Sequence, residues 1–148
     1  MKFTISTTIK TSLPEAFRYL TSSSKLGEWM KDFQSIKTTS GRRTKVGGVS
    51  KLIFKDAKSA YSIKEEVLGF ERNERFEIEL EHTEIITRIN YRFGAKDART
   101  TILVADYQVK FKNPLNRIFG IFFKIPMRNQ QQEDLTRLKN KLDRISNL

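Results

Sequence analysis

The chain has 148 residues, the size of one domain around one hydrophobic core, so residues 1–148 are expected to form a single domain. Hydrophobic residues make up 38% and charged residues 30%, the composition of a soluble globular protein; 28 Lys and Arg against 17 Asp and Glu leave a formal +11, which raises nucleic acid or an anionic membrane surface as partners. The absence of cysteine excludes disulfides, thiolate nucleophiles and Cys-containing zinc sites, and the lone His82 removes every two-histidine motif, so no metal and no cofactor is expected.

In chain order, Phe3, Ile5, Thr7 and Ile9 occupy one phase of a period-two pattern, which predicts a half-buried strand. This start lacks the unbroken apolar stretch of a secretory signal. Ser12, Pro14 and Glu15 read as the cap, first-turn proline and capping-box acid of a short helix through about Leu20. Leu26, Trp29, Met30 and Phe33 lie at helical spacing and predict a second short helix from Lys25 to about Phe33.

From Ser35 to Lys112 the sequence reads as strands: Ile36 to Thr39, Val49 to Lys55, Ala60 to Phe70, Arg75 to His82, Ile85 to Ala95 and Arg99 to Phe111. The breaks between them are short enough for an antiparallel meander. The alternation turns Phe76, Ile78, Leu80 and His82 to one face, with Glu77, Glu79 and Glu81 to solvent, and it points Tyr91, Tyr107 and their phase-mates inward. Tyr61, Ile63, Glu65 and Val67 share a phase as well, which makes Glu65 an inward carboxylate unless a bulge resets the alternation.

After Lys112, Asn113 and Pro114 open a long helical segment in which Leu135, Leu138, Leu142 and Ile145 form an apolar stripe facing the sheet. Pro126 lacks an amide donor, so a kink or break is expected beside Ile125. The longest apolar run, Ile118 to Phe123, is far short of the roughly 20 residues that cross a bilayer, which points to a soluble, cytoplasmic protein. Over Leu115 to Ile125 the apolar residues spread across more of the helix circumference than one sheet face requires. This segment reads either as a thick helix packed on Trp29 and the short helices, or as a cavity lid or gate in transient contact with an anionic membrane.

Strand, two short helices, six antiparallel strands and a long C-terminal helix resemble the helix-grip fold of the START-like (SRPBCC) superfamily, which includes pollen-allergen proteins, polyketide cyclases and dehydrases, and lipid-transfer proteins. The resemblance spans nearly the whole chain and is carried by Leu13-Pro14-Glu15-Ala16-Phe17, Leu20-Thr21, Leu26 to Trp29-Met30 and Val46-Gly47-Gly48-Val49. Ile63 to Val67, Arg75 to Ile78 and the closing Asp134 to Lys139 continue it. It implies an α+β domain with a seven-stranded curved antiparallel sheet, two short helices after the first strand, and a cavity for an apolar ligand beneath the C-terminal helix. It licenses no catalytic residue.

The residues expected to line that cavity are Trp29, Tyr61, His82, Tyr91, Tyr107, Phe119 and Phe122, in a protein that binds or transports a small hydrophobic or lipid-like molecule. An enzyme of the cyclase or dehydrase type is the alternative. Glu65 and His82 are then the acid–base candidates, although no nucleophile–base–orienter spacing accompanies them. A third reading, a protein-interaction module of the chaperone-activating kind, calls for an exposed apolar patch. Residues 65–84 carry eight acids and two bases, so the rest of the chain holds +17. These bases are scattered over several elements without a recognition motif, which disfavours nucleic acid.

Overall fold

A computed structural model describes residues 1–113 and 117–146, with side chains described up to 113 and from 124 onward. The order is β1 (Lys2–Ile9), α1 (Leu13–Thr21), a 3₁₀ turn (Ser23–Lys25), α2 (Leu26–Trp29), β2 (Phe33–Ser40), β3 (Val49–Lys55), β4 (Ala60–Glu71), β5 (Arg75–Glu81), β6 (Ile85–Asp97), β7 (Thr100–Phe111) and α3 (Arg117–Ser146). Among the described residues the strands form one seven-stranded antiparallel sheet in the order β1-β7-β6-β5-β4-β3-β2. β2 to β7 are a meander, and β1 joins the free edge of β7, with Phe3 opposite Tyr107 and Ile9 opposite Thr101.

The period-two phases hold in the sheet. Phe76 and Ile78 on β5, Ile89 and Tyr91 on β6, and Leu103, Ala105, Tyr107 and Val109 on β7 are buried on the inner face. α3 covers that face over β1 and α2. Its Leu135, Leu138 and Leu142 are buried, but Ile145 is 53% exposed, because the last turn is held instead by polar contacts to Lys10: the Lys10 amide donates to Asp143 at 2.7 Å and the Ser146 hydroxyl to the Lys10 carbonyl.

Three local expectations are corrected. The second short helix stops at Trp29 rather than near Phe33: Met30 is extended and Asp32 has φ 65°, so Phe33 already belongs to β2. No side-chain cap forms at Ser12, and the Glu15 carboxylate turns to Arg18 at 2.7 Å; the first helical bond is the Ala16 amide to the Ser12 carbonyl at 3.0 Å. Pro126 does not break α3, which runs as a single helix from Arg117 to Ser146. The proline is exposed there, so its ring meets solvent and its cost is one missing rung of the hydrogen-bond ladder.

The outer face explains the acidic run. Glu79 lies opposite Arg88 in the β5–β6 register and accepts from it at 2.7 Å, Glu77 accepts from Arg75 at 2.7 Å, and Glu81 from Lys112 at 2.9 Å. The block that is net negative along the chain is thus offset in part by Arg88 and Lys112 from outside it. Each such exposed pair contributes only about 0.2–1 kcal/mol. No described helix is long and apolar enough to cross a membrane.

Candidate functional site

The loop between β2 and β3 places a charge inside the protein. Gly41 adopts φ +63°, and a Cβ on Gly48 would lie 1.9 Å from the Arg42 carbonyl oxygen, so only glycine allows the chain to close this tightly. The closed loop is pinned to β4 by the Gly47 amide on the Val67 carbonyl at 2.8 Å and the Val67 amide on the Gly48 carbonyl at 2.9 Å. Its Arg43 side chain consequently turns inward and is 8% exposed.

Arg43 meets Glu65 side-on. Its Nε donates to Oε1 at 2.8 Å and its Nη2 to Oε2 at 3.1 Å, while Nη1 donates to the Thr21 carbonyl at 2.5 Å. The guanidinium also stands 5.3 Å from the centre of the Phe76 ring. Glu65 is 1% exposed. A bulge does occur in β4, between Val67 and Gly69, but it falls after Glu65; it leaves Glu65 and Val67 inward and then shifts the phase so that Phe70 faces the core opposite Phe76.

Beside this pair is an internal void of about 10 Å³, bounded by Leu20, Leu26, Trp29, Phe76 and Tyr91 together with Arg43 and Glu65. That volume is on the order of one water molecule. The Trp29 Nε1 and the Tyr107 hydroxyl are buried without a hydrogen-bond partner of good geometry; the neighbour of the Tyr107 hydroxyl is the Tyr91 phenol. Burial holds both phenols above their ordinary ionisation range, so they are neutral donors at physiological pH.

Asp134 on α3 is the second buried carboxyl, and its charge is felt by Tyr91 and Tyr107. It accepts from the Lys31 amide at 3.3 Å, from Gln130 at 3.0 Å and from Arg137, whose Nε donates to the Trp29 carbonyl at 3.1 Å. These contacts tie the end of α2 to α3. Burial raises the Asp134 carboxyl above its usual range, and Arg137 offsets part of that rise.

The residues expected at the cavity therefore divide. Trp29 and Tyr91 line the interior void with Glu65, and Tyr107 is buried in the same core beside Tyr91. Tyr61 lies at the far end of the sheet in an aromatic row, where Phe33 meets Phe54 at 5.8 Å, Phe54 stacks on Tyr61 at 5.5 Å, and Tyr61 meets the edge of His82 at 5.5 Å. His82 itself is exposed, a correction to its inward placement: β5 ends at Glu81, so the alternation no longer aims the next side chain. The side chains of Phe119 and Phe122, like those of the Leu115 to Ile125 segment up to position 123, lie outside what the structure describes; Ile125 is 70% exposed.

Sequence reading counts Arg43 only among the scattered bases that could touch phosphate and gives Asp134 no place in a site, whereas both are buried. The glycines bracketing Arg43 were the available signal for the first. For Asp134 it was an acid four residues before Leu138, on the edge of the buried stripe.

No family model and no curated protein matches the chain. Solved structures do. A START superfamily protein from Mycobacterium smegmatis superposes with a TM-score of 0.80 at 10% identity, covering 97% of this chain and 98% of that one. A conserved protein from Geobacillus kaustophilus gives 0.79 at 10% identity over 97% and 96% of the two chains, and Ara h 8.0201 gives 0.72 at 12% over 96% and 97%. The fold is the START-like helix-grip fold. In this helix-grip chain α3 is the gripping helix, and the polar cluster sits where the short helices close the inner face of the sheet.

Proposed function

We propose that the protein binds a small, largely apolar molecule bearing a hydrogen-bond acceptor, in the interior between the sheet and α3. The observation that carries this reading is the buried Trp29 indole N–H, which has no hydrogen-bond acceptor, in an interior lined mainly by aliphatic and aromatic side chains, with the paired Tyr91 and Tyr107 phenols and the Arg43–Glu65 pair as its polar groups. An unmet buried donor costs about 1–3 kcal/mol, and a ligand carbonyl or carboxylate recovers that energy while its apolar body is removed from water at about 25 cal/mol per Å². The space among the described residues suits only the polar end of such a molecule.

The acid–base reading has less support. Both Glu65 oxygens are occupied by Arg43, and His82 stands at the surface. The protein-interaction reading meets, among the described residues, exposed Val46 in the β2–β3 loop, Ile102 on β7, and Ile125 and Ile145 twenty residues apart on α3, rather than one patch.

Trp29 is the single tryptophan, so its emission reports directly on the site. Native mass spectrometry of the purified protein is expected to show a co-purifying hydrophobic compound, and that compound is expected to shift Trp29 emission saturably. Tyr107→Phe should weaken binding by about 0.5–1.5 kcal/mol, the loss of one hydrogen bond. An unliganded mass together with tryptophan emission unmoved by any lipid extract overturns the proposal.

A further inference from the structure

A groove of about 590 Å³ lies on the surface between α1, the β2–β3 loop and the β4–β5 turn, within the size range of small-molecule sites. Its apolar lining is Pro14, Phe17 and Phe70, the two rings in edge contact at 5.4 Å. Its polar lining includes Arg18, Arg72 and Thr44, and no carboxylate is among its described lining residues. Arg72 is exposed and forms no ion pair with a described residue; Arg18 has only an exposed pair with Glu15, which water and salt weaken. Arg42 and Lys45 in the adjoining loop are exposed as well and add to the positive field. Arg43 lines both this groove and the internal void, and with Glu65 it forms the partition between them. The groove and the void share the Arg43 side chain and no other lining residue.

We propose that this groove is a second binding site, for a small aromatic molecule carrying a phosphate or carboxylate group. The ring packs against exposed Pro14 and half-buried Phe70, above the edge of the buried Phe17, and the anion is taken by Arg18 and Arg72, whose planar guanidinium groups suit the oxygens of either acid. A neutral aromatic gains only the floor, and a bare anion gains only the rim.

Nuclear magnetic resonance titration of the isotope-labelled full chain at low salt tests this, with phenyl phosphate as the probe and benzyl alcohol and inorganic phosphate as comparators. Saturable shifts are expected in the amides of residues 18–23, 44 and 70–73, with each comparator binding at least about tenfold more weakly. The Arg18→Ala/Arg72→Ala double variant removes two exposed side chains, so it keeps the native spectrum, and it should lose about tenfold or more in affinity for phenyl phosphate. Shifts scattered over the basic surface, unchanged affinity in the double variant, or benzyl alcohol binding as tightly as phenyl phosphate each overturn the proposal.

Discussion

Arg43 and Glu65 show how much a single pair of residues asks of its surroundings. Two charges withdrawn from water are held by two parallel hydrogen bonds, a backbone carbonyl and an aromatic face, and neither has solvent to fall back on. Removing one partner should therefore cost more than removing both. Glu65→Leu is expected to lose about 3–5 kcal/mol in urea unfolding, because Arg43 is left charged and buried. The Arg43→Leu/Glu65→Leu double variant should recover most of that loss, short of about 1 kcal/mol for the Thr21 carbonyl that loses its donor. Equal losses in the single and double variants would contradict this account. The inward phase of Glu65 was legible in the sequence from Tyr61, Ile63 and Val67. Its partner was not, since pairing residues 22 positions apart requires the loop to close.

At the scale of elements, α3 is held by an apolar stripe and by one buried carboxyl. Leu135, Leu138 and Leu142 follow from helical spacing alone. Asp134 takes its role from position, since it faces the end of α2 and accepts a backbone amide there. Because burial raises its carboxyl, the folded protein keeps that proton to higher pH than the unfolded chain does. The contribution of the site to stability is then fully present below the ordinary carboxylate range and is lost as pH rises through the raised value. Asp134→Asn has no such titration. The stability difference between the two proteins is expected to move in favour of the variant as pH rises above the ordinary carboxylate range, measured by urea midpoints; a difference that moves against the variant would show that the Arg137 pairing governs instead. The same scale shows where helix signals misled. Phe33 fits a helical period, yet Asp32 in the left-handed region ends the helix and delivers Phe33 to β2.

For the whole molecule, topology governs assembly. β1 pairs only with β7, so Lys2 finds Gln108 across most of the chain, and α3 returns to β1 to cover the core. Such long-range pairing must be closed before it is rewarded, which places refolding in the millisecond-to-second range typical of β-rich domains. Stopped-flow emission of buried Trp29 checks this, and refolding in microseconds would contradict it. Charge at this scale is less polarised than its distribution along the chain suggests, because Arg88 on the neighbouring β6 and Lys112 just past β7 pair with glutamates of β5.

By itself the sequence determined the strands, their inward and outward phases, the helix order and hence the fold, since period-two and period-3.6 patterns are local consequences of backbone geometry. It also determined the basic balance and the lack of thiol and paired-histidine chemistry. Only the tertiary structure decided that Arg43 enters the core, that Asp134 joins α2 to α3, that His82 stays outside, and that the Trp29 indole is left with its donor unmet. Those outcomes depend on which distant segments share a buried volume, and hydrogen bonds and ion pairs there are set by approach in space that residue spacing does not encode.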